Sequence, residues 1–65
     1  MADTIFYVEK VGVYRHGVHW AGTSLDDAKL EARKLADMDR DSYHEWEVRD
    51  FPPSQDGPLF SCQKE

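Results

Sequence analysis

The sequence predicts a small α+β domain of ββαβ type, in which an antiparallel sheet of three or four strands has one helix packed on one face. Three observations support this fold class. The chain opens with a β-branched and aromatic segment, continues with an amphipathic alanine-containing stretch, and then has an alternating segment that ends at two prolines. Its 65 residues predict a single domain, 1–65. A domain of this size buries only about 60% of its unfolded surface, so its stability margin is thin.

The first strand segment is TIFYVEKVGVYR, at positions 4–15, and it has the composition that is typical of strands. Alternate residues point to opposite faces of a strand, and here the more apolar face changes near Lys10–Gly12. Glycine inside a strand often marks a bulge. We therefore expect a bend or bulge at that point rather than the end of the strand.

The hairpin turn is predicted at His16-Gly17, because glycine accepts the positive φ that tight turns require. This turn leaves a short return strand over Val18–Ala21. The lesser alternative is a turn at Gly12, with one longer second strand from Val13 to Trp20. Both alternatives give an antiparallel pair at the start of the chain.

The middle of the chain predicts a helix from Leu25 to about Asp39, capped by Ser24 or Thr23 and with acidic residues in its first turn. Its apolar residues cluster within roughly 100° of a helical wheel: Leu25, Ala28, Ala32, Leu35 and Ala36. An alanine-rich stripe of this kind lets a helix lie close against a sheet. Leu30 lies on the opposite, polar side, where it is either an ordinary exposed leucine or an anchor for a partner.

The third strand is predicted over Tyr43–Phe51, with Trp46 and Val48 facing the helix and Glu45 and Glu47 on the uncovered face of the sheet. Proline cannot donate to a strand ladder, so the two prolines that follow end the strand.

Residues 52–65 predict a loop and a partly ordered tail. Within this stretch, Leu59, Phe60 and Cys62 either form a short edge strand or pack against the sheet without pairing.

Residues suited to catalysis or metal binding are few. One cysteine excludes an internal disulfide and is typical of a reducing cytosol. The three histidines, His16, His19 and His44, are too few for a zinc site. His44 and its neighbour Glu45 point to opposite faces of a strand, and no glycine-rich phosphate-binding pattern is present. We therefore expect no enzyme, no cofactor and no metal.

The overall charge indicates the kind of partner. Thirteen acidic residues against eight basic ones give a formal net charge of −5. This balance disfavours direct binding to nucleic-acid phosphates and favours attraction to a basic protein surface. The N-terminal sequence lacks the features of a signal peptide, and no apolar run approaches the roughly 20 residues of a membrane span. We expect a cytoplasmic protein that binds neither nucleic acid nor membrane directly.

Acidic residues concentrate between positions 37 and 50. They are Asp37, Asp39, Asp41, Glu45, Glu47 and Asp50. The first three fall where the helix ends, although the helix dipole favours cations there. One interpretation is that the charges discourage aggregation of an exposed sheet. The other is that they imitate DNA phosphates, which carry one charge per about 1.7 Å of duplex, and form a partner-binding surface together with Leu30.

A family resemblance adds to the second interpretation. The run YVEKVGVYRHGVHWAGTSLDDAKLEARKLA and the later HEWEVRDF resemble small phage or mobile-element proteins with an R-x-G turn, a T/S-x-x-[DE] helix start and a W-E-V strand. Within that group the chain is similar, over about residues 4–51, to the small acidic anti-CRISPR proteins, in particular inhibitors of type I-C effector complexes. The likeness is one of length, charge and layout. The chain departs from a pure phosphate mimic at Arg40 and Arg49, whose positive charges dilute the acidic cluster.

The resemblance implies a DNA-mimicking inhibitor in the host cytoplasm that binds the CRISPR effector complex and blocks its capture of target DNA. The alternative hypothesis is a small regulatory or assembly module, monomeric or a weak homodimer, that binds a protein partner or itself through its open sheet face. The aromatic content motivates it, because one helix cannot cover both faces of the sheet. Association that weakens steeply with salt favours the inhibitor, and salt-insensitive association favours the module.

Overall fold

The computed structural model describes residues 3–40 and 43–64. Its elements in chain order are β1 (Ile5–Val11), β2 (Arg15–Gly22), α1 (Leu25–Met38), β3 (Glu45–Phe51) and β4 (Phe60–Gln63). The strands form one antiparallel sheet in the order β2-β1-β3-β4, and α1 packs on one of its faces. The predicted α+β fold is therefore confirmed, with four strands rather than three.

The β1–β2 turn follows the lesser alternative. Val11 pairs with Arg15, and the N–H of Gly12 donates to the carbonyl of Tyr14 at 2.9 Å, so the chain reverses over residues 12–14. The predicted turn at His16-Gly17 is wrong, because both of these residues lie within β2.

Gly17 nevertheless has the positive φ that the sequence suggested, at 96°. Between the pairs Glu9↔Val18 and Val11↔Arg15, β2 contains one residue more than β1, and Gly17 lies in that stretch. Its left-handed conformation therefore accommodates a strand irregularity instead of a turn.

Helix α1 begins and packs as expected. The Ser24 side chain accepts a hydrogen bond from the N–H of Asp27 at 3.3 Å, which satisfies one of the free donors at the helix start. Three alanines on one side are almost fully buried against the sheet: Ala28, Ala32 and Ala36. Among the described residues, no helix is long and apolar enough to cross a lipid bilayer.

The core lies between α1 and the two central strands. Val8 and Val48 are fully buried and pair across β1 and β3, and Trp46 is 4% exposed, so Trp46 and Val48 face the helix as predicted. Burying a side chain of valine size contributes roughly 1.5–3 kcal/mol. Partly buried side chains surround this cluster: Phe6, Trp20, Leu25, Leu35, Phe60 and Cys62. The core is small, and it covers only one face of the sheet.

The C-terminal stretch contains more structure than a loop and tail. Residues 52–59 form the connection, and β4 then pairs with β3 from Val48↔Phe60 to Glu45↔Gln63. Of the two alternatives for this stretch, the short edge strand is therefore the one that forms.

Candidate functional site

The acidic residues of positions 37–50 do not share one surface. Asp37 is exposed on α1, whereas Glu45 is exposed on the sheet face that the helix leaves uncovered. Three others are 8–9% exposed: Asp39, Glu47 and Asp50. Asp41 lies outside the described residues. The prediction of a single outward acidic field is therefore wrong for the described members of the set.

Asp39 points inward and connects the end of α1 to the start of β3. Its Oδ2 atom accepts hydrogen bonds from Trp46 Nε1 and from His44 Nδ1, each at 3.1 Å. Lys10 Nζ lies 3.9 Å from the other carboxylate oxygen, and Lys64 donates to the backbone carbonyl of Asp39. Because the carboxylate is enclosed by donors of the protein itself, its contribution is to stability and not to a partner surface.

Asp50 also has an internal role. Its carboxylate accepts the backbone N–H of Ser54, at 3.3 Å to one oxygen and 3.2 Å to the other. Hydrogen bonding by the Ser54 side chain is the main cause that lowers the pKa of Asp50. Burial acts in the opposite direction, and the backbone N–H groups of Ser54 and Asp50 add to the lowering. The residue therefore fixes the start of the loop that follows β3.

The uncovered side of the sheet, which we term the open face, carries a chain of ion pairs. Arg15 Nη1 lies 2.7 Å from Glu9 Oε1, and Arg49 Nη2 lies 3.0 Å from Glu47 Oε1. Arg49 also lies 3.7 Å from Glu9, which joins the two pairs. Two arginines thus neutralise two glutamates. Glu45 makes no ion pair with any described residue, so it leaves the open face with one excess negative charge.

Apolar side chains flank these ion pairs. Ile5 and Phe51 lie opposite each other on β1 and β3, and they are 38% and 66% exposed. Val18 on β2 is 57% exposed. These three apolar side chains lie on the same face of the sheet as the ion pairs.

The outer side of α1 is a separate surface of mixed charge. Leu30 is 53% exposed there, and Asp37 lies on the same helix, whereas Glu45 lies on the far side of the sheet. Lys34 Nζ lies 3.8 Å from Glu31, a neighbouring opposite charge of the kind that normally solvates a helix face. The predicted site residues therefore fall on two surfaces and in the interior. Sequence reasoning did not single out Phe51 and Val18 of the open face. For Phe51 a signal was available, because it alternates with Glu47 and Arg49 along β3 and therefore shares their face.

His44 is buried and Cys62 is partly buried. Over residues 3–40 and 43–64, no group of three or more His, Cys, Asp or Glu side chains is placed to hold a metal ion. The His44 side chain is 3% exposed and is hydrogen-bonded to Asp39. The ring of His16 packs edge-on against the ring of His44, with 5.0 Å between the ring centres. Burial raises the pKa of the Cys62 thiol, with Arg33 acting weakly in the opposite direction, so the reactive thiolate form is disfavoured near neutral pH.

Comparisons of the chain with protein families, with characterised proteins and with solved structures give no match. The geometry of the molecule is therefore the basis for the functional proposal that follows.

Proposed function

We propose that the protein is a non-catalytic binding module that docks on a partner protein through the open face of its sheet. The observation that carries this proposal is the combination of exposed Ile5, Val18 and Phe51 with ion pairs that are already complete within the chain. Burial of exposed apolar surface is the main favourable term in protein association.

The internal ion pairs reduce the cost of covering this face. Burying a charge is expensive unless the charge is paired and hydrogen-bonded. Glu9 and Glu47 already have arginine partners, and Glu47 is 9% exposed before any partner arrives. A docking protein therefore removes little water from these carboxylates, and it gains the apolar contacts around them.

Charge indicates the chemistry of the partner. Glu45 has no arginine of its own, so a complementary surface offers apolar side chains and one Lys or Arg opposite Glu45. A second copy of the chain fits less well, because two molecules with a net charge of −5 repel each other and bring Glu45 against an equally acidic face. We therefore infer a different protein as the occupant.

The DNA-mimicking inhibitor is the second candidate. The net charge of −5, the anti-CRISPR-like layout and the exposed Asp37 and Glu45 support it. A groove lined by Lys and Arg would have to contact Asp37 on the helix side and Glu45 on the sheet side of the same molecule. Because a single flat docking surface does not reach both, this candidate ranks below the binding module.

The experiment compares substitutions on the two surfaces. Wild-type protein, Phe51→Glu, Val18→Glu and Leu30→Glu are immobilised, and each is used to capture proteins from a lysate of the cells in which the chain naturally occurs. All three variants place a carboxylate at an exposed apolar position, so Leu30→Glu is the matched control on α1. Circular dichroism establishes that each variant is folded.

The proposal expects that one partner captured by the wild type is also captured by Leu30→Glu, and is lost with both open-face variants. Capture that survives Phe51→Glu and Val18→Glu and is lost with Leu30→Glu would assign binding to the helix side instead. Sedimentation of the purified protein at increasing concentration should show a monomer, and a dimer that Phe51→Glu dissociates would make a second copy the occupant.

A further inference from the structure

A groove runs between the outer side of α1 and the edge strand β4. We term it the α1–β4 groove. It is lined by Arg33, Lys34, Asp37, Phe60, Cys62 and Lys64. Ser61 and Gln63 line it as well, and they point to the opposite face of β4 from Phe60 and Cys62. Because side chains from both faces of the strand line the groove, it follows the outer edge of β4.

The groove is basic although the chain is acidic. Among residues 3–40 and 43–64, three cations, from Arg33, Lys34 and Lys64, line it against one carboxylate, that of Asp37. A fourth cation adjoins it, since Lys29 Nζ lies 5.9 Å from the centre of the Phe60 ring, on which the Arg33 guanidinium also packs at 5.6 Å. Lys34 has a distant partner in Glu31 at 3.8 Å and remains 60% exposed. Half of the eight basic residues of the chain therefore lie around this groove.

The edge of β4 supplies the second element of a binding site. β4 is the last strand in the order β2-β1-β3-β4, so within the described residues no strand pairs with its outer side. An edge strand presents backbone N–H and C=O groups that can pair with another extended chain. Peptide-binding domains use such edges by adding the ligand as a further strand, with side-chain pockets that give specificity.

We propose that the α1–β4 groove binds an extended acidic peptide, which adds to β4 as a fifth strand and places its carboxylates against Arg33, Lys34 and Lys64. A second copy of this chain is a poor occupant, because edge-to-edge pairing of two β4 strands would bring the same cations together. The site lies along the outer edge of β4 and includes none of Ile5, Val18 and Phe51, so this inference does not depend on the proposed function.

The test uses the synthetic peptide Ac-Glu-Val-Glu-Val-Glu-Val-NH2, whose valines favour an extended conformation. Its binding to the wild-type protein is followed by the backbone amide resonances in NMR. The comparison ligands are the same peptide with glutamines in place of glutamates, an N-methylated form that cannot pair with a strand edge, and single-stranded oligothymidylate. The variant is Arg33→Ala combined with Lys34→Ala, and the control is Arg15→Ala, an exposed arginine at the other edge of the sheet.

The proposal expects that the acidic peptide shifts the amide resonances of residues 60–64, and that the double variant weakens its binding by about tenfold while Arg15→Ala changes it less than about twofold. The glutamine and N-methylated peptides should bind at least about tenfold more weakly to the wild type. Bound peptide should also slow the alkylation of Cys62 by iodoacetamide, because that thiol lies in the groove.

Four results would overturn the proposal. They are the absence of shifts in residues 60–64, equal binding of the N-methylated and the unmodified acidic peptide, equal weakening by Arg15→Ala and by the double variant, and binding of oligothymidylate in preference to the acidic peptide. The N-methylated peptide is measured on the wild-type protein, so the test remains decisive even where a variant fails to fold.

Discussion

Trp46 donates its indole N–H to the carboxylate of Asp39 across 3.1 Å, and this bond ties the end of α1 to the second residue of β3. His44 shares the same oxygen at 3.1 Å. The position where helix α1 ends is therefore fixed by a buried polar contact, on the same sheet face as the apolar core.

Asp39→Ala should destabilise the fold by about 2–4 kcal/mol, because it leaves the buried donors of Trp46 and His44 without their acceptor. Asp39→Asn keeps one acceptor oxygen and should cost less. Asp37→Ala, at an exposed position two residues earlier, should change stability by less than about 0.5 kcal/mol. Urea unfolding measures all three. Equal losses for Asp37→Ala and Asp39→Ala would show that the buried bonds contribute nothing.

Gly12→Ala should lower the melting temperature by at least about 4 °C, since an added Cβ would lie 2.7 Å from the His44 ring and overpacking of this kind costs about 1–3 kcal/mol. The ring cannot easily move away, because its Nδ1 atom is held by Asp39. Gly57→Ala is the matched control, with no atom within 4 Å of the new Cβ. Thermal unfolding that is the same for both variants would contradict the close contact.

Ala32→Leu should destabilise the protein by about 1–3 kcal/mol, because Ala32 is fully buried where α1 lies against the sheet and a larger side chain forces the two apart. Lys34→Leu places the same side chain on the exposed side of the same helix, and it should change stability little. Chemical denaturation of the two variants compares them directly. A stable Ala32→Leu variant would mean that the helix packs more loosely than the structure shows.

Asp50→Asn should reduce the stability of the fold at neutral pH and make that stability depend less on pH. The hydrogen bonds from Ser54 lower the pKa of Asp50 in the folded protein, so the ionised carboxylate stabilises the fold above the unfolded pKa of about 4. That contribution is lost as the pH falls through the lower folded pKa. Melting temperatures from pH 2 to pH 7 should therefore converge for wild type and variant at the acid end. Asp56→Asn, in the exposed loop, is the control, and a constant difference at every pH would contradict this assignment.

The fold was largely predictable because the local signals agree with one another. The helix cap at Ser24, the alanine stripe and the facing of Trp46 and Val48 all follow from short-range periodicity. The β1–β2 turn was not predictable, because Gly12 and Gly17 are both suited to a tight turn. A positive φ serves a bulge as well as a turn, and only the register of the two strands decides between them.

The candidate site was harder to predict, because charge alone does not show which way a side chain points. Asp39 is the first residue after α1, where the helical period no longer sets its direction, and it turns toward the interior. One signal was available: Trp46 of β3 and His44, which directly precedes β3, are both buried and need an acceptor there. Likewise, Glu47 and Arg49 lie two residues apart on one strand face, a spacing at which an ion pair forms.

The most direct test of the open face as the binding surface is the affinity for the captured partner, measured from 50 to 500 mM salt by titration calorimetry. Docking through exposed apolar side chains with internally neutralised charges predicts an affinity that falls by less than about tenfold over this range, together with a negative heat-capacity change. Loss of affinity by several orders of magnitude would contradict that surface, and would favour acidic docking on a basic groove in its place.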